Sequence, residues 1–427
     1  MVPKIVLTAT DDLETLVSGD DSEAKLKRHS GAFVNGDIVV GYSVDDISGY
    51  DLESGDVLWT SDLDMEGGIV CFASQPDQVV KHFTVVYGDG NDCHMMATIR
   101  VSDGSVVRTN DLTDPHTSDG EVLDGAVYSM FTYDGTDFVI DGDDAVWNIT
   151  ADPIEQVTTF DGKRYADFAV TPEAPLLVAT PFGHDPCAVD AYRLPSMDLA
   201  WSVTWDELFP DLADTDCYVA PTAGNPLWIF ADSNPDDYTY LVQLDPKTGE
   251  VLGRDQHTAD DPIPPVNGFS LPDAFDDAER TVGSVNGDLF FPQQFGTARR
   301  SLADPSRNWW TGNTIKLYEG ANVFSQVSSM SAITADGRYV VGTISDGKDV
   351  EIIALDAEGG QLVGRWPLPE DFTNGFQVEP QLTLFNGGVV LTRNFTEWGY
   401  EYASEPEPER DRYDIGVFSF PEPQEDE

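Results

Sequence analysis

The chain has 427 residues, with 77 Asp and Glu against 23 Lys and Arg, for a formal net charge of −54. That excess excludes nucleic acid as a natural partner, because the phosphate backbone is itself an anion. At 41% hydrophobic and 11% aromatic residues, the composition also excludes a disordered acidic polymer and supports a large packed core.

The 8 Lys and 15 Arg are few, and the acids are spread along the whole chain. The folded surface is therefore expected to be negative throughout, soluble but self-repelling unless salt or bound cations screen it. The outside of a high-GC bacterium fits this charge, and so does a halophile cytoplasm. Length alone is compatible with about three ordinary domains or with one large all-β unit. Every hydrophobic run is interrupted before the 18 to 20 apolar residues, or thereabouts, that a membrane-spanning helix needs, so no membrane span is expected. Met1 to Ala9 has no basic n-region and no long apolar h-region, so as it stands it is not expected to be a signal peptide.

In chain order, strand-type runs occur at Asp37 to Tyr42, Phe83 to Tyr87, Ala126 to Thr132, Leu176 to Thr180, Leu227 to Ala231, Asp288 to Phe291, Tyr339 to Thr343 and Gly388 to Thr392. Each is rich in β-branched and aromatic residues and bounded by Gly, Asp, Asn or Pro, the pattern of short strands between turns. Trp205 to Ala213 and Asp273 to Glu279 read as a helical turn or two inside connections. The fold class is all-β.

Self-comparison shows a repeat. Tyr50 to Trp59 aligns without gaps on Tyr192 to Trp201, with five identities; Leu244 to Leu252 and Leu355 to Val363 are further copies, and Ile99 to Val107 is a weaker one. Each copy reads as strand, tight turn, strand. Gly55, Gly104, Gly249 and Gly360 supply the positive φ that such a turn demands, and Asp, Ser or Thr before them can bond the turn backbone. Met197 replaces the glycine in one copy, which either strains the turn or changes its type. Successive turns lie 49, 93, 52 and 111 residues apart, so two intervals are double. The hidden turns are expected near 150, within Val146 to Asp152, and near 320, within Ile315 to Gly320.

This arithmetic predicts a β-propeller over residues 1–420, with four-stranded antiparallel blades of about fifty residues. Eight blades are expected, with seven as the alternative. The last strand, Asp414 to Phe420, lacks an outgoing partner, and the N-terminal strand Pro3 to Ala9 is expected to close the ring. Residues 421–427 form an acidic tail, and Glu401 to Arg412 reads as a charged, Pro-rich excursion.

The hairpins at 244–252 and 50–59 resemble the repeat of the quinoprotein-like (PQQ-like) β-propellers. In that family an Asp, a Thr/Ser-Gly turn and a following Trp dock adjacent blades. The resemblance puts Trp59 and Trp201 at the docking position, which Arg108, Gly253 and Gly364 fill in the other copies. It implies the fold; function does not follow from fold. A quinone-dependent dehydrogenase of the family would hold its quinone between a Trp and a vicinal disulfide, with calcium beside it. No two cysteines of this chain are adjacent, so redox catalysis and a quinone cofactor are not expected.

The four cysteines have no zinc-type spacing. Pairs Cys71 with Cys93 and Cys187 with Cys217 are expected to join neighbouring strands as disulfides, with free buried thiols as the alternative, and disulfides favour an oxidising compartment. Catalytic motifs of the GxSxG, HExxH and P-loop types are absent, as are sialidase Asp boxes. Calcium is possible at Asp232, Asn234 and Asp236, whose oxygen-bearing side chains alternate, although the loop lacks the Gly and the Glu of an EF-hand. The segment Pro292 to Asn313 reads as an insertion carrying Arg299, Arg300 and Arg307 beside Trp309 and Trp310. Long loops are often functional, and Arg with Trp is a hot-spot composition, so these five residues are the candidate partner-binding set. The competing reading packs the tryptophans on the protein and pairs the arginines with acids.

The function expected is a noncatalytic binding or scaffold module of the cell envelope, presenting rim loops to a protein or glycan partner. The alternatives are a carboxylate-dependent hydrolase or lyase at the channel mouth and the extracellular sensor region of a membrane receptor.

Overall fold

The computed structural model describes residues 31–42, 47–65, 69–74, 79–88, 93–113, 127, 129–142, 145–160, 165–171, 174–181, 188–210, 219–222, 226–233, 238–257, 283–285, 287–293, 296–310, 327–333, 337–345, 350–367, 378–385, 388–395 and 415–419. Within them lie eight separate antiparallel sheets, each a simple meander in which consecutive strands pair.

Sheet 1 is Gly31–Asn35, Ile38–Tyr42, Ile47–Asp51 and Val57–Thr60, and sheet 2 is Ile69–Ala73, His82–Gly88, Met95–Arg100 and Val106–Asp111. Sheet 3 is Ser129–Tyr133, Thr136–Ile140, Ala145–Asn148 and Glu155–Thr159; sheet 4 is Tyr165–Thr171, Leu176–Pro181, Ala188–Arg193 and Asp198–Thr204. Sheet 5 is Val219–Thr222, Leu227–Ser233, Tyr238–Leu244 and Val251–His257; sheet 6 is Gly283–Val285, Asp288–Gln293, Gly296–Arg300 and Trp309–Trp310. Sheet 7 is Val327–Ile333, Tyr339–Ser345, Val350–Asp356 and Leu362–Pro367, and sheet 8 has three strands, Val378–Phe385, Gly388–Phe395 and Ile415–Ser419.

The strand runs read from the sequence fall on strands, Ala126 to Thr132 only from Ser129 onward, and of the helical reading from Trp205 to Ala213 the described residues hold the single turn Trp205–Leu208, which buries Trp205 and Leu208. Asp273 to Glu279, Glu401 to Arg412, the acidic tail and the expected closing strand Pro3 to Ala9 lie outside the described residues. The closing of a ring of eight or seven blades by that N-terminal strand is therefore not part of the described fold. Among the described residues, no helix is long and apolar enough to cross a membrane.

The chain divides into two compact units. The first comprises residues 1–156, 347–351 and 366–427, and the second residues 157–346 and 352–365.

In the first unit, sheet 2 is covered on both faces. Phe83, Val85 and Tyr87 join Phe33, Val40, Ile47 and Trp59 of sheet 1, while Val86 and Met96 join Val139, Ala145 and Trp147 of sheet 3. Successive side chains of a strand point to opposite faces, so two covered faces demand the near-continuous apolar run that the sequence shows there. Sheet 8 packs on sheet 1 through Val390 with Ala32, Val39 and Tyr50. In the second unit, Leu176, Val178, Val189 and Trp201 of sheet 4 pack against Leu227, Ile229, Val242 and Leu244 of sheet 5.

Two expectations about the repeat resolve clearly. The hidden turn near 150 is present, between Ala145–Asn148 and Glu155–Thr159. The other is not at Ile315 to Gly320, which lies outside the described residues; the hairpin leading into the fourth strand of sheet 6 spans residues 301–308. The expectation of an insertion from Pro292 to Asn313 is corrected for the same reason. Pro292 lies within the second strand, Gly296–Arg300 is the third, and Pro305–Arg307 is one turn of 3-10 helix before Trp309–Trp310. Asp304 starts that turn by accepting from the Ser306 N–H at 3.1 Å, and Pro305 fits the first helical position because its missing N–H would be unpaired there anyway.

Cys71 and Cys93 are bonded, Cα atoms 6.2 Å apart, linking the first strand of sheet 2 to the start of its third. Cys187 and Cys217 lie outside the described residues. Closing a loop with a sequence separation of 22 limits the unfolded chain, and the entropic estimate is about 3 kcal/mol. A Cys71→Ser, Cys93→Ser variant is expected to lower the unfolding free energy of the first unit by that amount, read as a lower urea midpoint; an unchanged midpoint would remove the bond from the account of stability.

Candidate functional site

The repeated turn recurs in five of the sheets. In all five copies the same backbone bond closes it: Gly55 N–H to Asp51 O, Gly104 to Arg100, Met197 to Arg193, Gly249 to Asp245 and Gly360 to Asp356, at 2.7 to 2.9 Å. Met197 keeps this geometry with φ of 59°, so the turn type is unchanged and the strain alternative is the one realised. Aspartate side chains brace the turn: Asp51 accepts from the N–H of Glu53 and Ser54, Asp245 from Lys247 and Asp356 from Gly359.

The third and fourth strands pair with a bulge at the same place in four sheets. Tyr50 faces Val57 but Gly49 faces Trp59, leaving Leu58 as the extra residue. By the same count the extra residues are Val107 in sheet 2, Ala200 in sheet 4 and Leu252 in sheet 5. A bulge re-aims the side chains that follow it. Here it turns the next residue towards the neighbouring sheet and leaves Val57, Leu58, Val107, Leu199 and Leu252 before it in solvent.

The inward result is a lock between sheets. Trp59 lies on Gly104, Trp201 on Gly249 and Trp309 on Gly360, so close that a Cβ on those glycines would stand 2.3, 2.8 and 2.6 Å from the indole rings. Trp201 Nε1 donates to Pro246 O at 3.0 Å and Trp309 Nε1 to Ala357 O at 3.1 Å. Arg108, at the position where other copies have Trp, donates from Nη1 to Ala151 O at 2.8 Å and from Nη2 to Ile149 O, so its guanidinium grips the next turn. Gly253 leaves room that Leu302 of the next sheet enters.

The candidate partner-binding set falls largely into this lock. Arg299 is 2% exposed. Its Nε and Nη2 donate to Asp288 Oδ2, and its Nη1 donates to Ala357 O at 2.9 Å and Glu358 O at 2.8 Å. Arg307 pairs with the same Asp288 oxygen at 3.0 Å and stands 3.9 Å from Glu358 Oε2. Arg299, Arg307 and Trp309 thus fasten sheet 6 to the turn of sheet 7. Arg300 is buried and faces Leu289 in register, and Trp310 faces Ala298. The competing reading of these residues, packed and paired within the protein, describes Arg299, Arg307 and Trp309 as they stand.

Of the expected calcium ligands, Asp232 is in the second strand of sheet 5, while Asn234 and Asp236 lie outside the described residues. Among the described residues no cluster of three or more His, Cys, Asp or Glu is placed to hold a metal. Asp137 is a buried carboxylate whose pKa is raised by burial, against hydroxyls of Thr84 and Thr132 that lower it. Since Thr84 is in sheet 2 and Thr132 in sheet 3, this acid is also part of a sheet-to-sheet contact.

The outward result of the bulges was missed in the sequence. Val57, Leu58, Val107, Leu199, Leu252, Leu362 and Val363 are all large apolar residues at the start of fourth strands, exposed by 42 to 59%. A signal was available: two consecutive apolar residues after the turn, as in Val57-Leu58 and Val251-Leu252, break the alternation of a half-buried strand. These fourth strands are also the outer edges of their sheets in the described residues, so each carries backbone groups with no strand beyond it.

No protein-family model matches this sequence, and no curated protein matches it. Solved structures do match in shape. BamB from Moraxella catarrhalis superposes with a TM-score of 0.55 at 11% identity, covering 98% of this chain and 100% of that one. The computationally designed protein Ika8 superposes with a TM-score of 0.53 at 14% identity, covering 92% of this chain and 98% of that one. At such identities the likeness is one of fold, and the fold is that of an all-β propeller built from four-stranded antiparallel sheets.

Proposed function

We propose that this chain is a noncatalytic binding or scaffold β-propeller of the cell envelope, offering its outer strands and rim loops to a protein or glycan partner. The observation that carries the proposal is the large apolar residue exposed near the start of the outer strand in sheets 1, 2, 4, 5 and 7, a pair in sheets 1 and 7. Exposed apolar surface that recurs, on edges that could accept another strand, is a feature of interaction surfaces. The fold likeness to BamB supports the β-propeller reading of these four-stranded sheets. The Cys71–Cys93 bond supports an oxidising compartment such as the envelope.

The test is site-specific photo-crosslinking in the native cell, with the reactive residue placed in turn at Leu58, Leu252 and Val363. The proposal expects a discrete crosslinked protein or glycoconjugate from at least one outer strand, and recovery of the protein in the envelope fraction. No adduct from any of the three positions would overturn it.

A further inference from the structure

The outer strands that expose apolar residues differ in their charge. The hairpins of sheets 2, 4, 5 and 7 each contain at least one basic residue: Arg100 and Arg108, Arg193, Lys247 and Arg254, and Arg365. In sheet 2 one of them is used locally, Arg100 pairing with Asp103 at 3.1 Å. Sheet 1 has no such cation. From His29 to Val80 the sequence contains ten Asp and Glu and not one Lys or Arg. Its outer strand is Val57–Thr60, and Val57 and Leu58 are 59% and 49% exposed. Glu53 and Asp56 stand exposed on the turn before it, and Asp62 just after it.

We infer that the Val57–Thr60 edge docks an extended segment of a partner protein in which Lys or Arg alternates with large apolar residues. This deepens the binding role proposed above and rests on it. Charge complementarity selects the occupant: an acidic edge with no Lys or Arg of its own repels an acidic segment and attracts a basic one. Alternation follows from geometry. Along an extended chain every second side chain shares a face, so apolar residues can cover Val57 and Leu58 while the intervening cations turn outward to Asp56 and Asp62. Among the described residues no strand lies beyond the outer strand, so its backbone edge can receive such a segment, the usual mode of strand addition. The bulge at Leu58 keeps the paired length short and favours a segment of a few residues over open-ended stacking.

The test uses the full chain and three ten-residue peptides, capped at both ends, followed by fluorescence anisotropy at low and moderate salt. One alternates Lys with Val, one has the same composition in two blocks, and one alternates Glu with Val. Saturable binding of the alternating Lys peptide alone is expected. A Val57→Ser, Leu58→Ser variant should weaken it at least tenfold, and Asp56→Asn with Asp62→Asn severalfold with a smaller salt dependence, each with an unchanged circular dichroism spectrum. Leu252→Ser, on the sheet 5 edge, should leave it unchanged. Equal binding of the block peptide, or equal loss from Leu252→Ser, overturns the inference in favour of unspecific charge attraction. No binding of the Lys peptide also overturns it; a crosslink from Leu58, Leu252 or Val363 would then leave the wider binding role standing, and the absence of all three would remove both.

Discussion

Replacing Asp288 with Asn is expected to destabilise the second unit by about 3–5 kcal/mol, the usual cost of removing one partner from a buried ion pair. The carboxylate is the only acid bonded to the Arg299 guanidinium among the described contacts, and Arg307 shares its Oδ2 atom. Without it a positive charge stays buried with only the carbonyls of Ala357 and Glu358 for company. The loss should appear as a lower urea midpoint with faster amide exchange in Gly296–Arg300 and across residues 356–360. Combining Asp288→Asn with Arg299→Met should cost clearly less than the two single losses added together, because the residues act as one unit. Strict additivity, or a cost within about 0.5 kcal/mol of zero for Asp288→Asn, typical of surface positions, would show that this pair does not hold sheet 6 to sheet 7.

Trp201→Ala is the second large effect, expected at about 3–5 kcal/mol from lost burial and the cavity left behind. The ring is buried among Val178, Val189, Leu227 and Val242 and lies on Gly249. Trp201→Phe separates packing from bonding. It keeps an aromatic ring but loses the Nε1 donation to Pro246 O, and a cost near 1 kcal/mol is expected for that bond, plus a contribution from the smaller ring. Gly249→Ala attacks the same lock from the other side. Its φ of 72° already disfavours a side chain, and a Cβ would stand 2.8 Å from the indole. Chemical denaturation monitored by tryptophan fluorescence would read all three. A Trp201→Ala protein as stable as the parent would mean that the docking contact is incidental.

The sequence made the lock partly visible. Trp59 and Trp201 follow their turn at a fixed spacing, and the resemblance to quinoprotein-like propellers gave both a docking role that their positions on Gly104 and Gly249 match. Trp309 escaped because eight residues, including a 3-10 turn, replace the short hairpin, so no fixed spacing from a glycine pointed to it. Arg108 escaped for a different reason. A motif search treats Arg in a Trp position as a departure, whereas the next turn offers carbonyl oxygens that a guanidinium satisfies as well as an indole does.

Taken alone, the sequence determined the all-β class, the repeated turn and the strand runs next to it, because each depends on residues close together or on a period that survives divergence; it offered the Cys71–Cys93 bond beside free thiols, and the structure chose the bond. The tertiary structure decided what the cations and the exposed apolar residues are for. Arg299 and Trp309 read as a binding composition until Asp288 and the turn at residues 356–360, distant in sequence, were found against them. Val57 and Leu58 read as the start of an ordinary strand until the bulge turned them out to water. Burial and bulges are properties of how one strand meets another, and composition along a single strand carries no record of its neighbour.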